Sequence, residues 1–267
     1  MLDAKTMELK SGVTQILEAM NELKSDWIKP ELMQCYIEIN SGICHTVSDV
    51  HSDLKGKLRL LNEAAGNLDM RLFWAGTHPF SPWYDQKITP NERYFQLVEK
   101  MQDTARRIVT YGMHVHVGVD TGDKAIMLVD RLLRYIPPLL SLSANSPFWC
   151  GRNTGLHSYR TKIMETLPAA GLPPLMRNWS ESLWVVNHSV DTGFINSIRE
   201  IWWDIRPHPT FGTVEVRICD MPPNLEDALG ITALVQCLVA RLSEQIDEGI
   251  YQHDARGCKE FCVSRFC

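Results

Sequence analysis

The sequence predicts an α+β fold, a sheet with helices on one face and a site on the other. Two observations carry that prediction. Three short segments alternate apolar and polar residues with period two, as half-buried strands do, and each puts chemically capable side chains on a single face. The stretches between them carry apolar residues at helical spacing, which gives helices an apolar stripe to lay against the sheet.

In chain order, Val13, Ile16, Leu17, Met20 and Leu23 form the first helical face. Lys29-Pro30 closes the connection to a strand over 35–40, which aligns Tyr36, Glu38 and Asn40. Thr46 and Asp49 have the form of a capping box, opening a helix through Val50, Leu54, Leu58, Leu61 and Ala65. A short strand over 72–76 is expected to run into Thr77-His78-Pro79-Phe80, followed by a loop over 81–92 and a helix over 93–109. The second strand of the site, 111–119, places His114 and His116 on one face, about 7 Å apart at the usual rise per residue. Asp120 and Thr121 can cap a helix through Ile126, Leu128, Leu132, Leu133 and Ile136, and a further helix is expected over 139–144. Residues 145–182 read as irregular, and Trp149, Arg152, Tyr159 and Arg160 mark that stretch as ordered and functional rather than disordered. The third strand, 211–219, sets Thr213, Glu215 and Arg217 on one face and Val214, Val216 and Ile218 on the other. An apolar helix over 225–246 completes the pattern. Without repeats, low-complexity segments or a linker, residues 1–267 read as a single domain.

Composition excludes several classes of function. The 267 residues carry a formal net charge of −5, and no basic run with interleaved aromatics suggests nucleic-acid binding. No apolar run approaches the about 18 residues of a membrane span. The first residues, Met-Leu-Asp-Ala-Lys-Thr, lack the pattern of a signal peptide. The eight cysteines are scattered, and Cys35, Cys150, Cys219 and Cys237 fall in segments expected to be core, so a reducing cytoplasm is the expected compartment.

Glu38, His114, His116, Glu215 and Arg217 are thus expected on one sheet face. Two bland alternatives stand beside a site. A histidine of a His-x-His strand is often merely buried and hydrogen-bonded, and a Glu/Arg pair on a solvated face contributes only about 0–1 kcal/mol. A solvated face would more often carry Lys, Thr and Ser, which favours a site. Two imidazoles and one carboxylate also make the ligand set of a zinc hydrolase, an alternative class that predicts sensitivity to chelators.

Longer motifs add a family resemblance. They are Ala75-Gly76-Thr77-His78-Pro79-Phe80, Asn91-Glu92-Arg93-Tyr94, Gly112-Met113-His114-Val115-His116-Val117-Gly118, Leu142-Ser143-Ala144-Asn145-Ser146-Pro147-Phe148-Trp149 and Thr154-Gly155-Leu156-His157-Ser158-Tyr159-Arg160. Ile201-Trp202-Trp203-Asp204-Ile205-Arg206-Pro207, the Glu215 strand and Cys219-Asp220-Met221-Pro222 follow. In order and spacing, from about residue 28 to about residue 245, they resemble the glutamate–cysteine ligase type 2 family of ATP-dependent carboxylate–amine ligases. The resemblance implies a glutamine-synthetase-like catalytic fold, an antiparallel sheet whose concave face takes ATP, divalent metal and glutamate. It implies Mg²⁺ on Glu38, His114 and Glu215, His116 beside the substrate, and Arg217 on the transferring phosphoryl group. Arg160 and Arg206 become candidates for the glutamate carboxylate or a phosphate, with an Arg206–Asp204 ion pair as the structural alternative. His78 is a pocket-lining candidate, or else a residue with a backbone partner.

The chain departs from the family at both ends. It has no Gly-x-Glu-x-Glu opening strand, and after Cys258 it carries a Cys262/Cys267 tail unlike the family's C-terminal region. The expectation is a truncated catalytic domain, impaired in turnover, or a fragment that binds nucleotide or partner only. A sheet edge left open by a missing strand invites pairing with a second copy, so either a homodimer or poor solubility is expected. On these roles Glu215→Gln should abolish turnover and leave the fold intact.

Overall fold

The computed structural model describes residues 1–21 and 25–250. Its strands are β1 (Leu2–Asp3), β2 (Ile28–Pro30), β3 (Ile37–Ile39), β4 (Met70–Arg71), β5 (Val115–Gly118), β6 (Phe148–Trp149), β7 (Arg152–Asn153), β8 (Ala170–Gly171), β9 (Trp202–Trp203), β10 (Ile205–His208) and β11 (Thr213–Val216). Its α-helices are α1 (Val13–Ala19), α2 (Val47–Asn67), α3 (Glu92–Met101), α4 (Asp103–Arg106), α5 (Gly122–Leu132), α6 (Ile136–Ser143), α7 (Tyr159–Met164), α8 (Trp179–Asp191) and α9 (Leu225–Asp247). Helices and small, mostly antiparallel sheets make this an α+β chain, as its residue pattern predicts. Contacts gather it into two compact units, each described in turn.

The first unit comprises Met1–Tyr111, Asn145–Ile163 and Asp220–Leu229. One core packs Val13, Ile16 and Leu17 of α1 against Leu61, Ala64 and Ala65 of α2, with Ile28 and Met70. Thr46 caps α2 as its sequence predicts: the hydroxyl accepts from Asp49 N–H, and the Asp49 carboxylate accepts from Thr46 N–H. A second core holds Leu32, Met33, Cys35, Val98, Ala105, Val109, Trp149 and Ile163. Among the described residues β3 pairs with β2 alone, in a sheet of two strands, with Glu38 opposite Lys29. Glu38 is therefore not on the sheet that carries the histidines, contrary to the one-face expectation.

The second unit comprises, of the described residues, 112–144, 164–219 and 230–250. Its centre is a three-stranded antiparallel sheet in the order β10-β11-β5, with Arg206 opposite Glu215 and Glu215 opposite His116. Alternation sends Val115, Val214, Val216 and Ile205 to the other face. There they pack with Leu128, Val129 and Leu132 of α5 and Val235, Val239 and Leu242 of α9. Thr121 caps α5 through a hydrogen bond from Lys124 N–H, as expected. α8 rests on a separate cluster built from Ile126, Met176, Ile195, Ile201 and Trp203.

Other expectations are corrected. Residues 72–76 form no strand, the ladder stopping at Arg71. The helix expected over 93–109 breaks at Gln102, whose φ of 50° leaves helical space, and divides into α3 and α4. The stretch 145–182 is not irregular: it holds the β6–β7 hairpin, α7, β8 and the start of α8. Cys35 and Cys219 are buried, Cys150 is partly buried, and Cys237 is exposed on α9 rather than in the core. Leu23 and the Cys258, Cys262 and Cys267 tail lie outside the described residues. Among the described residues no helix is long and apolar enough to cross a membrane.

Candidate active site

The polar face of the second unit's sheet is built by strand alternation alone. β11 offers Thr213 and Glu215, with Arg217 just past its end; β10 offers Arg206 and His208; β5 offers His116, with His114 just before it. Glu215 is the centre, with a side chain only 2% exposed. Its Oε2 accepts from Arg206 Nε at 2.7 Å, and its Oε1 accepts from Arg217 Nη1. His114 Nδ1 and His116 Nε2 approach the same Oε1 at 3.5 and 3.6 Å. The third strand of this face is thus β10, and the expected place of Glu38 is taken by Arg206.

Electrostatics follow from that geometry. Burial opposes ionisation of Glu215, but Arg217, His114, Arg206 and His116 together outweigh it and hold the carboxyl well below the usual carboxylate range. Burial lowers His116 and His208 below the ordinary imidazole value, against the pull of Glu215. With those two rings neutral, one carboxylate faces two guanidinium groups, and the face keeps an excess of positive charge that favours an anionic ligand. Arg206 is anchored further by donating to the carbonyls of Ile198 and Ile201, so its partners include Glu215 and backbone. His116 is fixed in turn by a 3.0 Å contact between Nδ1 and Thr213 Oγ1.

Arg160 lies elsewhere. In the first unit it is 5% exposed and 3.9 Å from Asp220, whose carboxylate is wholly buried. Asp220 accepts from Ser146 Oγ at 2.6 Å, Ser158 Oγ at 2.9 Å and Asn145 N–H at 3.0 Å. Ser146 Oγ accepts in turn from Arg160 N–H. A Cβ at Gly76 would fall 2.7 Å from the Asp220 carboxylate, so this glycine is demanded by close packing. Four of the long sequence motifs, those holding Gly76, Ser146, Ser158/Arg160 and Asp220, meet in this one hub. His78 is structural: 2% exposed, it accepts from Ser81 N–H at Nδ1, faces Met7 O at Nε2, and burial lowers it to about 4.

Glu38 has a neighbour that sequence reading passes over. Burial and the Glu38 carboxylate push Glu31 up to about 8, the two side chains sharing a hydrogen bond, and Asn40 Nδ2 donates to Glu38 Oε1 at 2.8 Å. An acidic residue seven positions before Glu38 was visible in the sequence, but only the β2–β3 hairpin brings it to hand. His208 and Phe211 were passed over as well, because the strand that carries His208 was not foreseen.

Whether these donors suit Mg²⁺ can be judged from their chemistry. Among the described residues no group of three or more His, Cys, Asp or Glu side chains is arranged to hold a metal ion. Mg²⁺, however, is commonly held by one or two protein carboxylates, with phosphate and water oxygens completing its shell. Glu215 with His114 meets that lower requirement, and the hard oxygens of Glu31 and Glu38 form a separate pair of the same kind.

Comparison with known proteins places the chain. The model of Glutamate-cysteine ligase family 2 (GCS2) matches residues 2–257, and the chain belongs to that family. A protein of Gloeobacter violaceus named "Putative glutamate--cysteine ligase 2" is 49% identical over 222 residues, covering 83% of this chain and 60% of that protein. One from Frankia casuarinae, "Putative glutamate--cysteine ligase 2-1", is 43% identical over 253 residues, 93% of this chain and 66% of its own length. One from Thermobifida fusca shares 43% over 253 residues, 93% of this chain and 63% of that protein. The chain therefore spans less than two thirds of the length of these relatives.

Proposed function

We propose that this chain is the catalytic region of an ATP-dependent carboxylate–amine ligase. It joins the γ-carboxylate of glutamate, through γ-glutamyl phosphate, to an amine such as cysteine. The observation that carries the reading is the buried Glu215 held between Arg206 and Arg217, with excess positive charge on a face that also bears three histidines. The names of the relatives support the reaction class and the pair of substrates.

A carboxylate resists amide formation because its oxygen is a poor leaving group. In the proposed reaction a glutamate oxygen bonds to the γ-phosphorus as the bond to ADP breaks; the amine nitrogen then bonds to the acyl carbon, and phosphate leaves with that oxygen. Mg²⁺ on His114 and Glu215 would supply charge neutralisation for the phosphates. Arg217 and Arg206 hold the transferring phosphoryl group or the substrate carboxylate, and Glu215 fixes both forks so that no reorganisation is needed as charge shifts. His116, kept neutral by burial, lies beside the reacting groups, its Nε2 turned to Glu215 and its Nδ1 tied to Thr213. Arg160 is assigned to the Asp220 hub rather than to the phosphate. A zinc hydrolase fits less well, because it needs three protein ligands, and among the described residues no group of three His, Cys, Asp or Glu side chains is arranged to hold a metal ion.

Purified chain is to be tested for ADP release with ATP, Mg²⁺, glutamate and a panel of amines headed by cysteine. Release that requires both glutamate and one amine supports the ligase and names the amine. Release indifferent to glutamate contradicts it. Binding of ATP without any release leaves the chain a nucleotide-binding fragment.

A further inference from the structure

The polar face of the β10-β11-β5 sheet does not end at its charges. At the turn from β10 to β11, Phe211 lies over His208, ring centroids 4.3 Å apart and planes within 9° of parallel. His116 meets both rings edge-on, at 5.3 Å from His208 and 5.6 Å from Phe211. Phe211 is nevertheless 66% exposed, although it forms part of an ordered stack. The turn that holds it closes through Phe211 N–H to His208 O, with Gly212 at φ 62°. His208 Nδ1 is buried with no hydrogen-bond partner among the described residues, so stacking rather than hydrogen bonding at that nitrogen sets the ring.

An aromatic surface with one covered and one open side, at the end of a cationic strand face, suits a ligand with an apolar planar head and an anionic tail. Distance adds to this. From Thr213, beside the stack, to Arg217 is four residues of extended chain, about 13 Å. That is the reach of an extended nucleoside triphosphate from base to terminal phosphate.

We infer that Phe211, backed by His208, is the seat on which the base of a purine nucleoside triphosphate stacks, its phosphates running along β11 towards Arg217 and His114. The inference rests on the nucleotide dependence proposed above and adds the residues that choose the base and the direction in which the nucleotide lies. Every polar group needed is on one sheet face. The base is held by its π-surface, and its phosphates by guanidinium forks.

The test is equilibrium binding, measured by calorimetry with the full chain and needing no turnover. ATP and inorganic tripolyphosphate are titrated into the parent, Phe211→Ala and Phe211→Tyr. Loss of one stacked base is expected to weaken ATP for Phe211→Ala by about 5- to 150-fold. Tripolyphosphate should bind within twofold of the parent, and Phe211→Tyr should restore ATP. Equal ATP affinity in Phe211→Ala and parent would overturn the base seat and leave the nucleotide reading standing. A parallel fall of ATP and tripolyphosphate would overturn it too, as damage to the phosphate end. A parent that binds neither ligand removes the nucleotide reading itself, and the seat with it.

Discussion

Glu215→Gln is expected to lower the unfolding free energy by about 3–5 kcal/mol as well as abolishing ADP release. Sequence reasoning expects an intact fold, because the polar face points away from the apolar core. The structure changes that expectation: the carboxylate is buried and is the shared counter-charge of Arg206 and Arg217. Removing its charge leaves two guanidinium groups facing each other with an amide between them. Urea unfolding measures the loss, and added pyrophosphate should recover more stability in the variant than in the parent, since an anion can replace the missing charge. The sign with pH follows from the depressed carboxyl. Its stabilising contribution is present above the ordinary value of 4.5 and lost as pH falls towards the lower native value, so the parent's acid sensitivity should be reduced in Glu215→Gln. A variant as stable as the parent would mean that the ion pairs do not hold this face together.

Asp220→Ala is the second large effect, again about 3–5 kcal/mol. One wholly buried carboxylate satisfies Ser146, Ser158 and Asn145 and faces Arg160, and its loss leaves the buried Ser146 and Ser158 hydroxyls without that acceptor. The alanine also leaves a void beside Gly76, where the backbone has been brought close for the carboxylate. Asp220→Asn, which keeps the volume and one acceptor, should lose less. A loss below about 1 kcal/mol for the alanine variant, in the same unfolding measurement, would show that the hub is not what these motifs maintain.

The two variants mark what could be read from sequence. Period-two alternation at 114–116 and 213–218 was enough to place His114, His116, Glu215 and Arg217 on one face, because alternation is a local property. Strand partners are not local. The strand carrying Arg206 was missed because it is four residues long with Pro207 inside it, and proline counts against a strand except at an edge, which is where β10 lies. Glu38 shows the converse: its alternation marks a strand, but nothing in the pattern says which sheet that strand joins, and β3 pairs with β2. α8 escaped notice because its described buried residues include only Ser182, leaving little apolar stripe to see. Charge and motif single out Arg160 in the sequence, but neither shows that it is buried 3.9 Å from Asp220. The Glu31–Glu38 contact depends on a hairpin register that no spacing rule supplies.

The central claim is that the glutamate carboxylate is activated by phosphorylation at the Glu215–Arg206–Arg217 face. Glutamate labelled with ¹⁸O in its γ-carboxylate, incubated with ATP, Mg²⁺ and the amine that releases ADP, tests it most directly. Transfer of one labelled oxygen to the phosphate for each amide formed is the predicted result, because that oxygen leaves with the phosphoryl group. Amide formed alongside unlabelled phosphate would contradict the account.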